Sequence, residues 1–164
     1  MKEHLRQLAA RADNDIARGC LVREYLQARV LESLQDGGMF LRWAFVGGTA
    51  LRFLFAIPRF SEDLDFSLAN KLPLNAILTG LEDAYNEVRR ASGVTFRYSR
   101  ADRMRHTNSY TFYLAYEGPL PAVSLKEVKV DITIKERFVC PIRTCTILQG
   151  YDEFVAHVAR GRKL

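Results

Sequence analysis

Two closely spaced aspartates are the residues of this chain best suited to chemistry. In the segment from Asp63 to Leu68, DLDFSL, polar and apolar residues alternate strictly. Because side chains alternate between the two faces of a strand, Asp63, Asp65 and Ser67 share one face. Carboxylates at this spacing are roughly 6–7 Å apart at the backbone, close enough to bind one or two hard cations through oxygen. The pair therefore predicts a divalent-metal site, with a solvated acidic strand end as the alternative.

A glycine turn lies shortly before the aspartate pair. Residues 42–46, RWAFV, have the pattern of a short buried strand, and Gly47 and Gly48 predict a tight turn. Residues 49–55, TALRFLF, predict the opening of a helix. Free N–H groups at the positive end of a helix dipole can bind phosphate, and Thr49 adds a hydroxyl. The turn therefore predicts a phosphate site, with an ordinary strand-to-helix turn as the alternative.

The order and spacing of these two elements carry a family resemblance. Fourteen residues separate Gly48 from Asp63. The segment resembles nucleotidyltransferases of the DNA polymerase β superfamily, which have a Gly-Gly or Gly-Ser turn followed by a strand with Asp-x-Asp. More closely, GGTALR followed by RFSEDLDFS is similar to the AbiEii/AbiGii family of bacterial nucleotidyltransferases, the toxins of abortive-infection toxin–antitoxin pairs. The match is specific over residues 47–67, and a looser hydrophobic likeness extends from roughly Arg18 to Arg137.

The resemblance implies a third acidic residue on a neighbouring strand. Residues 128–135, VKVDITIK, alternate between apolar and polar residues. The pattern predicts a strand with Lys129, Asp131 and Thr133 together on its polar face. Asp131 matches the position of the family's third carboxylate.

The resemblance also implies an activity, which is transfer of a nucleoside monophosphate from an NTP to an acceptor hydroxyl with release of pyrophosphate. Asp63 and Asp65 would hold two Mg²⁺ ions that clamp the attacking and leaving oxygens. Asp131 would bind the metal on the nucleophile side and help deprotonate the acceptor. These three aspartates are the predicted catalytic and metal-binding residues.

The predicted nucleotide-binding residues surround the glycine turn. The turn would cradle the β- and γ-phosphates, and a lysine would offset their charge. Arg59 and Ser61, which belong to the family motif, are expected to contact phosphate and support the carboxylate strand. The full set is Gly47, Gly48, Thr49, Arg59, Ser61 and Lys129. Glu62 is expected to be structural, and Arg52 to be either a surface residue or a ligand contact.

The basic residues are unevenly distributed along a chain with a net charge of +5. One cluster, interleaved with Tyr98, is a candidate RNA-binding patch in which arginines neutralise phosphates and the aromatic ring stacks on a base. Its arginines are Arg97, Arg100, Arg103 and Arg105. A solvated hairpin tip is the alternative. Within the family, the implied acceptor is RNA, with tRNA ends as the best precedent, and the implied partner is a cognate antitoxin.

Length and composition indicate a globular domain. The chain has 164 residues, of which 48% are hydrophobic and 26% charged. Residues 1–15 lack the apolar core of a signal peptide, and no stretch is long and apolar enough to cross a membrane. Cys20, Cys140 and Cys145 lie apart from the histidines and indicate neither a disulfide framework nor a zinc site. We therefore expect a cytoplasmic protein without a membrane partner.

The hydrophobic pattern predicts an α+β fold, with a mixed, largely antiparallel sheet of about five strands flanked by helices. The resemblance identifies this as a polymerase-β-like nucleotidyltransferase core, placed over residues 1–140 with N-terminal helices. Those helices are expected between Ala12 and Leu34, with Gly19 as a candidate break. Residues 141–164 are expected to begin a C-terminal helical region that is otherwise missing, with a helix starting in residues 151–160.

The missing helical half leaves other functions open. One is a catalytically weak core that binds a nucleotide or an antitoxin as an interaction module. Another is a small-molecule nucleotidyltransferase of the antibiotic-modifying kind, which would favour an acidic acceptor pocket.

Overall fold

The computed structural model of the protein describes residues 2–92, 95–101, 108–117, 127–134, 138–148 and 155–160. Within these ranges the chain forms four α-helices, a short 3₁₀ turn over Met39–Leu41 and seven strands. In chain order they are α1 (Lys2–Ala10), α2 (Asp15–Asp36), β1 (Trp43–Val46), α3 (Gly47–Phe55), β2 (Asp63–Leu68), α4 (Leu74–Ser92), β3 (Thr95–Ala101), β4 (Ser109–Glu117), β5 (Glu127–Thr133), β6 (Arg143–Leu148) and β7 (Val155–Arg160).

All seven strands of the described ranges belong to one sheet, in the order β3-β4-β5-β2-β1-β7-β6. β2 lies at its centre, antiparallel to β1 and parallel to β5. β1 pairs with β7 in parallel, whereas β3 with β4, β4 with β5 and β6 with β7 are antiparallel. The predicted α+β fold with a mixed, largely antiparallel sheet is therefore confirmed.

The C-terminal part of the sheet corrects two expectations. The sheet has seven strands rather than the expected five or so. The two additional strands are β6 and β7, which the sequence pattern did not predict. The helix expected over residues 151–160 is wrong for Val155–Arg160, which is a strand paired along its length with β6. A short apolar run does not distinguish helix from strand by periodicity, and pairing with a neighbouring strand decides its conformation here. Residues 151–154 of the expected helix lie outside the described ranges. The boundary at residue 140 between the core and a C-terminal region stays a prediction.

The strands that carry the aspartates form where the alternation predicted them. Leu64 and Phe66 of β2 and Val130 and Ile132 of β5 are buried, and the polar residues between them are only partly covered. This alternation places one face of each strand in the core and leaves the other available for a site.

The helices cover the core side of the sheet. α2 packs against both α1 and α4. It is one continuous helix through Gly19, so the candidate break is not used. Its first turn is capped by Asn14, whose side-chain oxygen accepts a hydrogen bond from the Ala17 N–H at 2.8 Å. No helix in the described part of the chain is both long enough and apolar enough to cross a bilayer.

Candidate functional site

Strand register brings the three predicted carboxylates together. β2 and β5 pair so that Asp63 lies opposite Lys129 and Asp65 lies opposite Asp131. Neighbouring strands are about 4.8 Å apart, so paired residues on one face are immediate neighbours. Thr111 of β4 lies opposite Asp131 on its other side. The result is a polar strip across three adjacent strands at the centre of the sheet.

Lys129 connects two of these carboxylates. Its Nζ lies 2.6 Å from Asp131 Oδ2 and 3.1 Å from Asp63 Oδ2. The two oxygens are therefore separated by less than the sum of those distances. The hydrogen bond to Asp131, and after it that to Asp63, raises the pKa of Lys129 above its ordinary value even though burial opposes the shift. The ammonium group therefore stays protonated at neutral pH.

Thr111 holds Asp131 from the opposite side. Its hydroxyl donates to Asp131 Oδ1 at 2.5 Å, so each oxygen of this carboxylate has a donor of its own. Charge-assisted hydrogen bonds of this kind are short and directional. They fix the orientation of Asp131 within the strip.

Gly47 brings the start of α3 against Asp65. Its φ is +79°, and a Cβ placed on it would lie 2.0 Å from Asp65 Oδ2. Only glycine combines that backbone conformation with so close an approach. The preceding residue, Val46, pairs with Asp65 in the sheet, so the turn leaves β1 directly beside the carboxylate. The N-terminus of α3 therefore lies next to an acidic site.

The second glycine faces the residues that precede β2. A Cβ on Gly48 would lie 3.0 Å from Ser61 Oγ and 3.3 Å from Arg59 Nη2. Thr49, which is buried, donates its hydroxyl to the backbone oxygen of Asp63. The turn and the start of β2 are thus linked by a hydrogen bond in addition to their packing.

The donor chemistry of this site fits hard divalent cations. Asp63, Asp65 and Asp131 supply carboxylate oxygens, which are the ligands preferred by Mg²⁺. Among the described residues, however, no three acidic, histidine or cysteine side chains are arranged to hold one ion. The ammonium group of Lys129 lies between Asp63 and Asp131 instead. For these two carboxylates to share an ion, Lys129 has to turn away.

The structure thus places nine of the predicted residues around one site, whereas the two predicted arginines that fall on a described strand lie on another part of the sheet. Arg97 and Arg100 are on β3, the edge strand three positions from β2. Arg103 and Arg105 lie outside the described residues. The RNA-binding set therefore stays a prediction.

Two contributors were not predicted. Thr111 was missed although the alternation of SYTFYL in β4 is visible in the sequence. The second is a group of three residues on α2 and α3. Gln27 and Arg52 donate hydrogen bonds to the segment before β2, and Glu24 accepts a hydrogen bond from Arg52. A glutamine within the apolar stripe of α2 was the available signal.

Comparison with known proteins gives a family and a fold. The family model described as "Nucleotidyl transferase AbiEii toxin, Type IV TA system" matches residues 29–160. Nothing among curated proteins matches the chain.

Two solved structures illustrate the likeness in fold. MenT4, a nucleotidyltransferase toxin from Mycobacterium tuberculosis H37Rv, is 17% identical, with 98% of this chain and 54% of that chain covered and a TM-score of 0.58. JHP933 from Helicobacter pylori is 19% identical, with 86% of this chain and 52% of that chain covered and a TM-score of 0.52. At these identities the structures show the fold alone. The chain spans about half the length of each.

Proposed function

The chain belongs to the AbiEii nucleotidyltransferase toxin family, and we propose that it transfers a nucleoside monophosphate from an NTP to a hydroxyl of RNA. In this proposal it is the toxin of a type IV toxin–antitoxin pair. The family and the fold support a transferase. The RNA acceptor, the metal dependence and the antitoxin are parts of the proposal.

The contact between Gly47 and Asp65 is the observation that carries this proposal. It sets the N-terminus of α3 beside the carboxylate strip. Backbone N–H groups favour phosphate, while carboxylates favour cations, so an isolated phosphate would be repelled from the strip. A ligand that combines a polyphosphate with divalent cations satisfies both groups. A metal–NTP complex has this composition.

In the proposal Asp63, Asp65 and Asp131 would hold two Mg²⁺ ions. When bound, the ions would neutralise phosphate charge and make the acceptor hydroxyl more acidic. Asp131, oriented by Thr111, would then accept the hydroxyl proton. Gly47, Gly48 and Thr49 would position the β- and γ-phosphates through their backbone N–H groups, because the Thr49 hydroxyl donates to the backbone oxygen of Asp63.

Lys129 has two roles in this proposal. Without nucleotide it neutralises Asp63 and Asp131, which would otherwise repel each other. With nucleotide bound, its ammonium group would pair with the triphosphate. The hydrogen bonds to Asp131 and Asp63 raise the pKa of Lys129 and keep it protonated in the first role. Arg59, which is exposed beside Gly48, would supply a further positive charge to the phosphates.

The proposal is tested by incubating the purified chain with each α-labelled NTP, Mg²⁺ and total tRNA. We expect label in RNA from at least one NTP, and loss of that label in Asp65→Asn, because the amide is a poorer ligand for a cation. Asp83→Asn, on the exposed face of α4, is the matched control and should label normally. Equal labelling by Asp65→Asn and the wild type would contradict the proposed site.

A second candidate is a nucleotide- or antitoxin-binding module without transfer activity. The observation in its favour is the Lys129 bridge, in which one ammonium group pairs with two of the three carboxylates. A chain that binds NTP but labels neither tRNA nor other RNA would support this module over the enzyme.

A further inference from the structure

The segment that joins α3 to β2, here called the α3–β2 loop (residues 56–62), carries two of the proposed phosphate contacts. It begins at Ala56, whose φ of 51° ends α3, and runs without helix or strand to Asp63. Arg59 and Ser61 lie on this loop beside Gly48. An irregular segment has no sheet or helix hydrogen bonds of its own to hold it, so its conformation depends on contacts from neighbouring elements.

Gln27 of α2 supplies the best-buried of these contacts. Only 1% of this residue is exposed. Its Nε2 donates to the backbone oxygens of Ser61 at 3.2 Å and Glu62 at 2.9 Å. Both N–H donors of the amide therefore have an acceptor on the loop. A buried amide is costly without partners, so these bonds hold the loop end and α2 together.

Arg52 of α3 holds the beginning of the same loop. Its Nη1 donates to the backbone oxygen of Ile57 at 2.7 Å, and its guanidinium carbon lies 4.8 Å from the centre of the Phe60 ring. Glu24 of α2 orients this arginine through a bond of 2.6 Å to Nε. The loop is thus attached near both of its ends, at Ile57 by Arg52 and at Ser61 and Glu62 by Gln27.

We infer that Gln27 and Arg52 are positioning residues for the triphosphate: they hold the α3–β2 loop so that Arg59 and Ser61 lie against the glycine turn. The inference rests on the proposed function for the identity of the ligand. The attachment of the loop is a separate claim that can be measured without any ligand.

The carboxylate strand β2 has a hydrogen bond of its own to α3. Thr49 fixes the backbone of Asp63 from α3, without involving Gln27. Loosening the loop should therefore weaken phosphate binding more than it disturbs the carboxylates. The kinetic signature is a raised KM for NTP with kcat little changed, because an interaction made equally in the ground and transition states is lost.

The first experiment is hydrogen exchange of the full chain in Gln27→Met, which keeps the length of the side chain and removes both donors. Faster exchange confined to the α3–β2 loop is expected. Gln7→Met, at an exposed position on α1, is the matched control and should leave loop exchange unchanged. Loop exchange in Gln27→Met equal to that of the wild type would overturn the inference.

The second measurement is the dissociation constant of NTP in the presence of Mg²⁺, with KM and kcat determined wherever turnover is seen. Loss of one hydrogen bond to a charged phosphate lowers affinity by about tenfold, so we expect affinity to fall by about tenfold or more in Gln27→Met. A loosened loop with unchanged affinity would overturn the positioning role. A fall in kcat of about tenfold with an unchanged KM would also overturn the positioning role.

Arg52→Lys provides a second variant if Gln27→Met fails to fold. Arg52 is partly exposed and lysine keeps its charge, while the forked contact with Glu24 and the Ile57 oxygen is lost. The same loop loosening and the same loss of affinity are expected, and wild-type values for both would overturn the inference. If the wild type binds no NTP, the proposed function fails, and loop exchange in the two variants still decides whether the loop is held as inferred.

Discussion

Gly47 lies so close to Asp65 that a Cβ on the glycine would be 2.0 Å from a carboxylate oxygen. The contact joins the turn that offers N–H groups to the strand that offers carboxylates. The contact therefore couples the glycine turn to the carboxylate strand. The Asp65 carboxylate leaves no room for a side chain at position 47.

Gly47→Ala should damage both the turn and Asp65. The positive φ alone costs of the order of 1–3 kcal/mol for a residue with a Cβ, and the added methyl group forces the carboxylate to move. We expect a lower unfolding temperature together with a loss of NTP binding. Gly37→Ala is the matched control, since Gly37 has a φ of −73° and room for a Cβ, and its unfolding free energy should change by no more than about 1 kcal/mol. Equal effects of the two substitutions would contradict the close contact.

Lys129→Met should make the protein more dependent on Mg²⁺. Without the ammonium group, Asp63 and Asp131 repel each other, and a divalent cation relieves that repulsion. We expect Mg²⁺ to raise the unfolding temperature of the variant more than that of the wild type. Lys71→Met, at an exposed position, is the control and should respond as the wild type does. A response to Mg²⁺ no larger than that of the wild type would argue against a shared cation site.

The ion pairs of Lys129 also predict a pH dependence with a definite sign. A lysine whose pKa is raised by folding contributes stability that is present below its unfolded pKa of about 10.4 and is lost as the pH rises through the higher folded value. Between about pH 7 and 9 the stability difference between the wild type and Lys129→Met should therefore stay constant. Urea unfolding at several pH values measures this difference. A decline within that range would mean that the ammonium group is deprotonated earlier than its contacts imply.

Thr111→Val should change the orientation of the Asp131 carboxylate while the protein still folds. The substitution keeps the shape of the side chain and removes the hydroxyl bound to Asp131, and a hydrogen bond to a charged acceptor contributes about 1.5–3 kcal/mol. We expect a modest decrease in the free energy of unfolding and a clear decrease in the rate of nucleotide transfer. Thr144→Val, at an exposed position on β6, should affect neither. Unchanged transfer in Thr111→Val would remove Thr111 from the site.

The arginine cluster can be tested without structural detail. Replacing Arg100, Arg103 and Arg105 together should weaken RNA binding and flatten its salt dependence, because each lost phosphate contact removes roughly one unit of slope. Binding of labelled tRNA at several salt concentrations measures the slope. An unchanged slope would mean that the cluster is a solvated hairpin tip.

The sequence predicted those parts of the fold whose pattern is local. β2 and β5 were predicted because their polar and apolar residues alternate. β6 and β7 were missed because short apolar runs do not reveal their partners. Pairing is a long-range property, and no local pattern contains it.

The site also has a part that local patterns predict and a part that depends on long-range pairing. The residue types of the site could be predicted from two motifs and from the alternation of residues 128–135. The register that sets Asp65 opposite Asp131 and the bridge made by Lys129 could not be predicted. The role of Gln27 depends on the path of a loop more than thirty residues further along the chain. That path is fixed only when α2 packs beside the start of β2.

The most direct test of the site is a crystal structure of the chain with Mg²⁺ and a non-hydrolysable NTP. We expect phosphates at the N-terminus of α3 and metal on Asp63, Asp65 and Asp131, with Lys129 turned from the carboxylates toward the triphosphate. A nucleotide bound elsewhere, or a bound nucleotide beside an intact Lys129 bridge and metal-free aspartates, would contradict the proposed site.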